Sequence, residues 1–254
     1  MHDASVRNAT VTTTTLCLTL FAVTVGLLGI AAWVLARKLR RLRALVRRQD
    51  RHTWESLNVF HVLGGGTPLP LPGGWAASTD LLGEVLRAIA QRRPQCVIEL
   101  GSGVSTLVIA AALRSNGAGH LISIDAEEGY ASQTREQLQR QSLSDWAEIR
   151  VAPLKQQSFD DGMRPWYDTE LLADLRSIDL LLIDGPPTLL RADIRQPALP
   201  FFWERLNAGA IVLLDDAARP AERAIAKAWQ RRFPQGQFEF MRLEKGALRV
   251  EKPR

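Results

Sequence analysis

The chain has 254 residues, 46% of them hydrophobic and 23% charged, which is enough for one sizeable α/β domain with an appendage. Its formal net charge of +5 is carried by one short stretch, residues 37–51, which holds eight Lys and Arg against a single Asp. Because the rest of the chain is slightly acidic, this composition does not indicate a nucleic-acid-binding surface. Two cysteines and four scattered histidines exclude a disulfide framework and a zinc motif.

The N-terminal part of the chain predicts a membrane anchor. After a short tail over residues 1–10, a transmembrane helix is predicted over residues 11–35, where the run Leu16–Leu35 is uncharged and long enough to cross the hydrocarbon core. The basic residues follow this run, so the positive-inside rule predicts a single-pass protein of a bacterial inner membrane with its C-terminal part in the cytoplasm. A cleaved signal peptide, with Gly29 and Ala31 as the small residues, is the alternative, but its basic flank would lie on the wrong side.

Residues 36–74 predict a basic helical stem followed by a Gly- and Pro-rich linker. Leucines lie near one face of the stem and arginines around the rest. The basic side chains favour contact with anionic headgroups, and the leucines favour a short homodimer seam as the alternative. Residues 75–254 then predict a single domain in which strands and helices alternate.

Five strands of this domain are predicted at Cys96–Leu100, His120–Asp125, Ala147–Val151, Asp179–Ile183 and Ala210–Leu214. Helices are predicted from Ser78 as N-cap, then over Ser105–Arg114, Gly129–Leu143, Thr169–Arg176 and Pro220–Arg232. The segments Gln237–Leu243 and Ala247–Glu251 flank Lys245-Gly246 and predict a hairpin. The pattern therefore predicts an α/β fold: a Rossmann-like, doubly wound, mostly parallel sheet with a C-terminal antiparallel hairpin, preceded by a transmembrane helix. The long segment Pro153–Ser177 is predicted to be a substrate lid.

A glycine turn follows the first of these strands, in the run V-I-E-L-G-S-G-V-S of Val97–Ser105. Gly101 and Gly103 let a ligand approach the backbone at the start of a helix. A dinucleotide fingerprint would place glycine where Thr106 stands, and Glu99 would repel a pyrophosphate but attract an ammonium group. The stretch resembles motif I of the class I S-adenosylmethionine-dependent methyltransferases, in which acid-x-Gly-x-Gly wraps the methionine part of the cofactor.

Carboxylates end four of the five predicted parallel strands, at Glu99, Asp125, Asp184 and Asp215. Ligands of doubly wound sheets bind at these strand ends, and an acid about 20 residues past a glycine turn can accept hydrogen bonds from ribose hydroxyls, which predicts this role for Asp125. The alternative, a cap on the following helix, favours Glu127 and Glu128 over Asp125. The resemblance implies a cofactor site formed by Glu99, Gly101, Ser102, Gly103, Ser105, Thr106, Asp125, Ala126, Pro153 and Asp184.

The fourth strand ends I-D-G-P-P at Ile183–Pro187, and the fifth ends in Asp215-Asp216. With the glycine turn, these residues resemble a bacterial methyltransferase subgroup related to the catechol-type O-methyltransferases. Two mechanisms are consistent with them. Asp184 acts as a general base on an acceptor hydroxyl, or Asp184, Asp215 and Asp216 hold Mg²⁺ that lowers the pKa of that hydroxyl. The catechol-type enzymes usually carry Asn where Asp216 stands, and the I-D-G-P-P loop has no Lys to serve as a base.

The sequence thus predicts a membrane-anchored methyltransferase that uses S-adenosylmethionine, with an oxygen acceptor that is a small molecule, a glycan or lipid-linked. Two alternatives are a nucleotide-cofactor oxidoreductase on the same fold and a non-catalytic membrane adaptor with a methyltransferase-like domain.

Overall fold

The structure is a computed structural model, which describes residues 2–64, 77–160 and 162–254. Side chains at residues 2–23, 47–48 and 51–52 also lie outside the described part, as do the predicted linker over 65–74 and the predicted domain start at Trp75. The chain divides into two compact units, Met1–His52 and Thr53–Arg254.

The first unit consists of helix α1, which runs from His2 to Leu63 and continues into the second unit. Its described side chains between residues 24 and 46 are all exposed, including Leu27, Leu28 and Ile30. In the described part of the chain, no helix has an apolar segment of the length needed to cross a membrane. Of the predicted transmembrane span over residues 11–35, the side chains of residues 11–23 lie outside the described part.

The second unit is built on a seven-stranded sheet and a separate two-stranded sheet. Their strands are β1 Cys96–Leu100, β2 His120–Asp125, β3 Ala147–Val151, β4 Leu154–Phe159, β5 Gly162–Tyr167, β6 Ile178–Ile183, β7 Leu206–Leu214, β8 Gln237–Met241 and β9 Ala247–Glu251. The seven-stranded sheet has the order β3-β2-β1-β6-β7-β9-β8, and β4 and β5 form the other sheet. Strands β3, β2, β1, β6 and β7 are parallel, and β9 and β8 are antiparallel. The predicted mostly parallel sheet with a C-terminal hairpin is confirmed.

Helices cover both faces of this sheet because successive strand residues point to opposite sides. They are α2 Thr79–Arg92, α3 Val104–Asn116, α4 Glu128–Arg140, α5 Ala198–Phe202 and α6 Pro220–Arg232. On β6, Leu180 and Leu182 belong to the core shared with α2, α3 and α4, whereas Leu181 and Ile183 belong to the core shared with α5 and α6. The end of α1 contributes the buried Val59 to the first core.

The segment Pro153–Ser177 differs most from its prediction. It forms the hairpin β4–β5, and only Thr169–Leu172 of the predicted helix is helical, as a 3-10 turn. Its role as a substrate lid stays a prediction. The Asp168 side chain accepts a hydrogen bond from the Glu170 backbone N–H, which begins this short turn. The buried Trp166 of β5 packs edge-on against Phe159 and Phe201, so the hairpin is part of the second core.

Candidate active site

The glycine turn joins β1 to α3 at the edge of the sheet where the parallel strands end, which we call the carboxyl edge. Gly101 has a φ of +97°, and its N–H donates to the Ile124 carbonyl at 2.8 Å. A Cβ at Gly101 would lie 3.0 Å from the backbone nitrogen of Gly185. The turn therefore needs glycine both for its dihedral angle and for the close approach of the loop after β6.

Glu99 lies fully buried beneath this turn. Its Oε2 accepts hydrogen bonds from the Thr106 hydroxyl at 2.5 Å and the Ser123 hydroxyl at 2.6 Å, while Oε1 has no hydrogen-bond partner in the described part of the chain. Burial raises the pKa of Glu99 to about 7, although the neighbouring hydroxyls of Ser105, Ser123 and Thr106 favour its charged form. A buried carboxylate with a free oxygen fits a cationic ligand group such as an ammonium.

The other predicted residues of the turn hold this arrangement together. The Thr106 hydroxyl, which donates to Glu99, also accepts from the Gly103 N–H at 2.9 Å. Thr106 thus connects the glycine turn to Glu99, and both Ser105 and Thr106 are buried.

Asp125 ends β2 and faces the same turn. Its Oδ2 accepts hydrogen bonds from the backbone N–H and the hydroxyl of Ser102 at 3.0 and 2.6 Å. Its Oδ1 accepts from the Glu127 N–H at 3.0 Å, and Glu127, the N-cap of α4, makes no capping bond with its own side chain. Glu127 thus occupies the N-cap position, as the alternative predicts, but its side chain does not cap the helix, and the carboxylate that bonds to this residue's backbone is that of Asp125. Ala126 follows in this loop, and the exposed Pro153 begins the connection to the β4–β5 hairpin.

Asp184, Asp215 and Asp216 meet where β6 and β7 end, and we call these three residues the acidic mouth. One carboxylate oxygen from each lies within 4.8 Å of the others. Both oxygens of the buried Asp215 have no hydrogen-bond partner among the residues described. Burial raises the pKa of Asp215 to about 7, and the neighbouring Asp184 and Asp216 act in the same direction. Burial also raises the pKa of Asp184.

The structure adds a buried cation to this site that the sequence did not predict. Arg195, 2% exposed, lies in the segment between β6 and α5, and its Nη1 donates to Asp216 Oδ2 at 3.2 Å. Its Nη2 contacts the Asp184 side chain at 3.5 Å. Sequence position gave no indication of this role because Arg195 is 11 residues from Asp184 and 21 from Asp216.

Two further residues reach the site from elements that the sequence did not connect with it. Tyr167 of β5 is buried, and its hydroxyl lies where a side chain at Gly185 would be. Burial and the nearby Asp125 raise the pKa of Tyr167 well above its usual value. Lys245 lies in the β8–β9 turn, whose Lys245 and Gly246 carbonyls each accept a backbone bond at 3.0 Å from the residues just after Asp216.

The predicted carboxylates therefore lie along one edge of the sheet. Strands β2, β1, β6 and β7 are neighbours in that order, and Asp184 follows β6 with its N–H donating to the Leu100 carbonyl at 3.0 Å. Glu99 and Asp125 lie by the glycine turn, and the acidic mouth lies beside them on β6 and β7. Such an edge can hold a polar ligand next to a group that accepts a proton.

Known proteins resemble this chain both in sequence family and in fold. Residues 98–217 match the model of a methyltransferase domain family. The fold is similar to three solved structures: the S-adenosylhomocysteine-bound methyltransferase PaMTH1 of Podospora anserina (TM-score 0.58, 15% identity, covering 79% of this chain and 88% of that one), an O-methyltransferase of Bacillus cereus in complex with S-adenosylhomocysteine (0.55, 16%, 78% and 90%), and the O-methyltransferase TomG of Streptomyces achromogenes in complex with S-adenosylmethionine (0.54, 16%, 71% and 82%).

A search of curated protein sequences finds no significant relative. The matched domain, the order of its strands and the carboxylates along its edge agree with one another. The match over residues 98–217 identifies a methyltransferase domain in this chain, and the fold supports a class I S-adenosylmethionine-dependent methyltransferase.

Proposed function

We propose that this chain is a membrane-anchored O-methyltransferase. The observation that carries the proposal is the row of carboxylates along one sheet edge, with a cationic-ligand site at Glu99 on one side and an acidic mouth on the other. Two of the similar structures are O-methyltransferases by name, which supports an oxygen acceptor. An acidic mouth also favours proton removal from a hydroxyl over binding of an anionic acceptor.

In this proposal the glycine turn and Glu99 bind the methionine part of S-adenosylmethionine, and Asp125 binds the ribose. The cofactor supplies an electrophilic methyl group on its sulfonium. The chain holds the acceptor oxygen in line with that methyl group, and positioning of this kind provides most of the rate gain expected. Asp184, at the boundary between the two halves of the site, accepts the proton of the acceptor hydroxyl at a carboxylate oxygen.

A divalent cation fits the acidic mouth as well. The mouth and the nearby Glu222 carry four carboxylates, and Arg195 and Arg219 are the cations that contact them within 4.0 Å in the described residues. The carboxylates thus outnumber these two cations, an excess that the nearby Lys245 offsets in part. In the described part of the chain, neither oxygen of the buried Asp215 has a hydrogen-bond partner, and carboxylate oxygens are the ligand type that Mg²⁺ prefers. Asp184, Asp215 and Asp216 would hold the ion, which would lower the pKa of the acceptor hydroxyl.

The metal is tested by chelation. If the ion takes part, treatment with excess EDTA should lower the rate of methyl transfer by at least about tenfold, and Mg²⁺ or Mn²⁺ should restore it. Binding of S-adenosylhomocysteine, measured by calorimetry, should change little because the glycine turn and Asp125 remain intact. A rate that is the same with and without EDTA would remove the metal from the proposal and leave Asp184 as the base.

The loop that follows the I-D-G-P-P turn favours an acceptor with an apolar part. Leu189 and Leu190, in the loop that follows the I-D-G-P-P turn, are 81% and 62% exposed, and the exposed Met163 lies nearby, where its carbonyl accepts from Arg191 at 3.4 Å. Exposed apolar side chains grouped at a site are typical of contact with an apolar partner. Together with the exposed apolar side chains of α1, they support a lipid-linked acceptor and attachment to a membrane.

The proposal is tested by incubating the purified full-length protein with membrane extracts and radiolabelled S-adenosylmethionine. We expect a labelled product that partitions into organic solvent and is stable to conditions that hydrolyse methyl esters. A variant with Leu189 and Leu190 both changed to Ser should label this product several-fold more slowly while binding S-adenosylhomocysteine normally. Label found only in water-soluble products would contradict the lipid-linked acceptor, and no label in any fraction would contradict the activity.

Glu99 makes cofactor binding dependent on pH. Only its charged form attracts the ammonium group, and its pKa is about 7, so affinity should rise about tenfold between pH 6 and pH 8. Because burial raises this pKa from 4.5 to about 7, Glu99 should also make the ligand-free protein progressively less stable as the pH rises from about 4.5 to 7. Calorimetric titration of Glu99→Gln should show weak binding at both pH values. The control Asp215→Asn should keep the pH dependence, and if it loses the dependence instead, Glu99 is not its source.

A further inference from the structure

Arg195 holds the ends of two strands at once. Its guanidinium donates to the carbonyls of Asp184 and, at 3.2 Å, Pro186, which follow β6, and at 3.5 Å to the carbonyl of Asp215, which follows β7. It also donates to the Asp216 carboxylate at 3.2 Å. The planar fork of an arginine matches such a set of carbonyl and carboxylate acceptors.

Burying the charge of Arg195 is unfavourable unless nearby anions compensate it. Its side chain is 3% exposed, and a buried cation is unfavourable without a compensating anion. The compensating groups are Asp216, Asp184 and the fully buried Glu222, whose Oε1 lies 3.8 Å from Arg195 Nη1. Asp215 contributes only its carbonyl, so its carboxylate remains free of Arg195.

We propose that Arg195 is the built-in counter-ion of the acidic mouth, a positioning residue whose charge sets how strongly the mouth binds a divalent cation. Arg195 contacts the carboxylates of Asp184 and Asp216. It leaves both carboxylate oxygens of Asp215 and Oδ1 of Asp216 to the ligand. The inference rests on the proposed methyltransferase site, but it concerns the charge of that site and is measured without turnover.

A purely structural role for Arg195 predicts a different result. If Arg195 only ties β6 to β7, its loss would disorder the three aspartates and weaken cation binding. If its charge acts as the counter-ion, a neutral side chain that still donates hydrogen bonds leaves an extra negative charge in the mouth, and cation binding becomes stronger. One unit charge a few ångströms away changes an affinity by at least about tenfold at the effective dielectric constant of a protein.

The experiment measures Mn²⁺ binding to the full-length protein by electron paramagnetic resonance, with thermal unfolding recorded for each variant. Arg195→Gln, which keeps an amide donor, should bind Mn²⁺ at least about tenfold more tightly than the wild type. Arg195→Lys, which keeps the charge, should stay within about threefold of the wild type. Folded Arg195→Gln with unchanged or weaker Mn²⁺ binding would overturn the proposal.

Glu222 offers a second route if Arg195→Gln does not fold. Glu222→Gln removes a negative partner of Arg195 without removing an oxygen of the acidic mouth, so more of the Arg195 charge acts on the mouth and Mn²⁺ binding should weaken about tenfold. Unchanged binding in a folded Glu222→Gln variant would contradict the counter-ion role. Calorimetry with S-adenosylhomocysteine on the same samples separates the proposed function from the counter-ion role of Arg195. Failure of the wild type to bind S-adenosylhomocysteine would contradict the proposed function. The Mn²⁺ measurements test the role of Arg195 alone.

Discussion

Replacing Gly101 by Ala is expected to lower the affinity for S-adenosylmethionine by at least about a hundredfold. The φ of +97° lies outside the range that an alanine adopts without strain, which costs about 1–3 kcal/mol. The new Cβ would also lie 3.0 Å from the Gly185 nitrogen and 3.3 Å from its Cα. Gly185 cannot move away easily because its N–H donates to the Leu100 carbonyl at 2.6 Å. The strain therefore displaces the turn from Glu99 and Asp125.

Calorimetric titration with S-adenosylhomocysteine and chemical unfolding measure the two parts of this effect. Gly129→Ala is the matched control, because Gly129 lies in α4, its φ is not positive, and an added Cβ meets nothing within 4 Å. This variant should bind normally and gain up to about 1 kcal/mol of stability from the higher helix propensity of Ala. Normal cofactor binding by Gly101→Ala would show that the turn does not contact the cofactor.

The sheet could be predicted because its strands are short apolar runs that end at glycine, proline or acid. Cys96–Leu100 and His120–Asp125 have the same bounds in the structure as in the prediction, since each is buried between helices on both faces. The row of carboxylates followed from the same reasoning, because parallel neighbours bring their carboxyl ends to one edge. Predicting the edge required only the order of elements along the chain.

The hairpin β4–β5 could not be predicted in this way. Strand β4 contains Lys155, Gln156 and Gln157, and β5 contains Pro165, so neither shows the alternation of a half-buried strand. The two segments are strands because they pair with each other and place Trp166 in the core, which depends on the rest of the fold. The position of Tyr167 against Gly185 could not be predicted for the same reason.

Arg195 and Lys245 show a second limit of sequence reasoning. Carboxylates were found at strand ends because the topology fixes those positions, but the cations beside them come from a loop and from a hairpin turn. The turn is placed by Asp80 at the start of α2, whose Oδ2 accepts from the Glu244 N–H at 2.7 Å across the fold. No spacing in the sequence encodes such a contact. The number of free charges in the acidic mouth is therefore a property of the tertiary structure.

Asp184→Asn is expected to lower the rate of methyl transfer by about 10²–10⁴-fold, the usual contribution of a general base. Cofactor affinity should stay within about threefold of the wild type because Glu99 and Asp125 are unchanged. Stability should change little: burial raises the pKa of Asp184, so a neutral amide avoids the cost of the buried charge, and this gain offsets the lost contact with Arg195. Rates are measured on the labelled product of the membrane extract, and unfolding by chemical denaturation.

Asp179 provides the matched control, because it lies near the start of β6, at the end of the strand opposite to Asp184. Its Oδ2 accepts from the backbone N–H groups of Gln95 and Cys96 at 2.8 and 3.1 Å, and its Oδ1 accepts from Asn207 Nδ2 at 2.7 Å. Asp179→Asn should therefore lose about 1–3 kcal/mol of stability and keep the rate of the folded enzyme. The two substitutions thus have opposite expected effects: Asp184→Asn lowers the rate and keeps the stability, whereas Asp179→Asn lowers the stability and keeps the rate. If Asp184→Asn keeps its rate, or if both variants lose rate and stability together, Asp184 acts as a structural group and the base must be sought at Asp215 or Lys245.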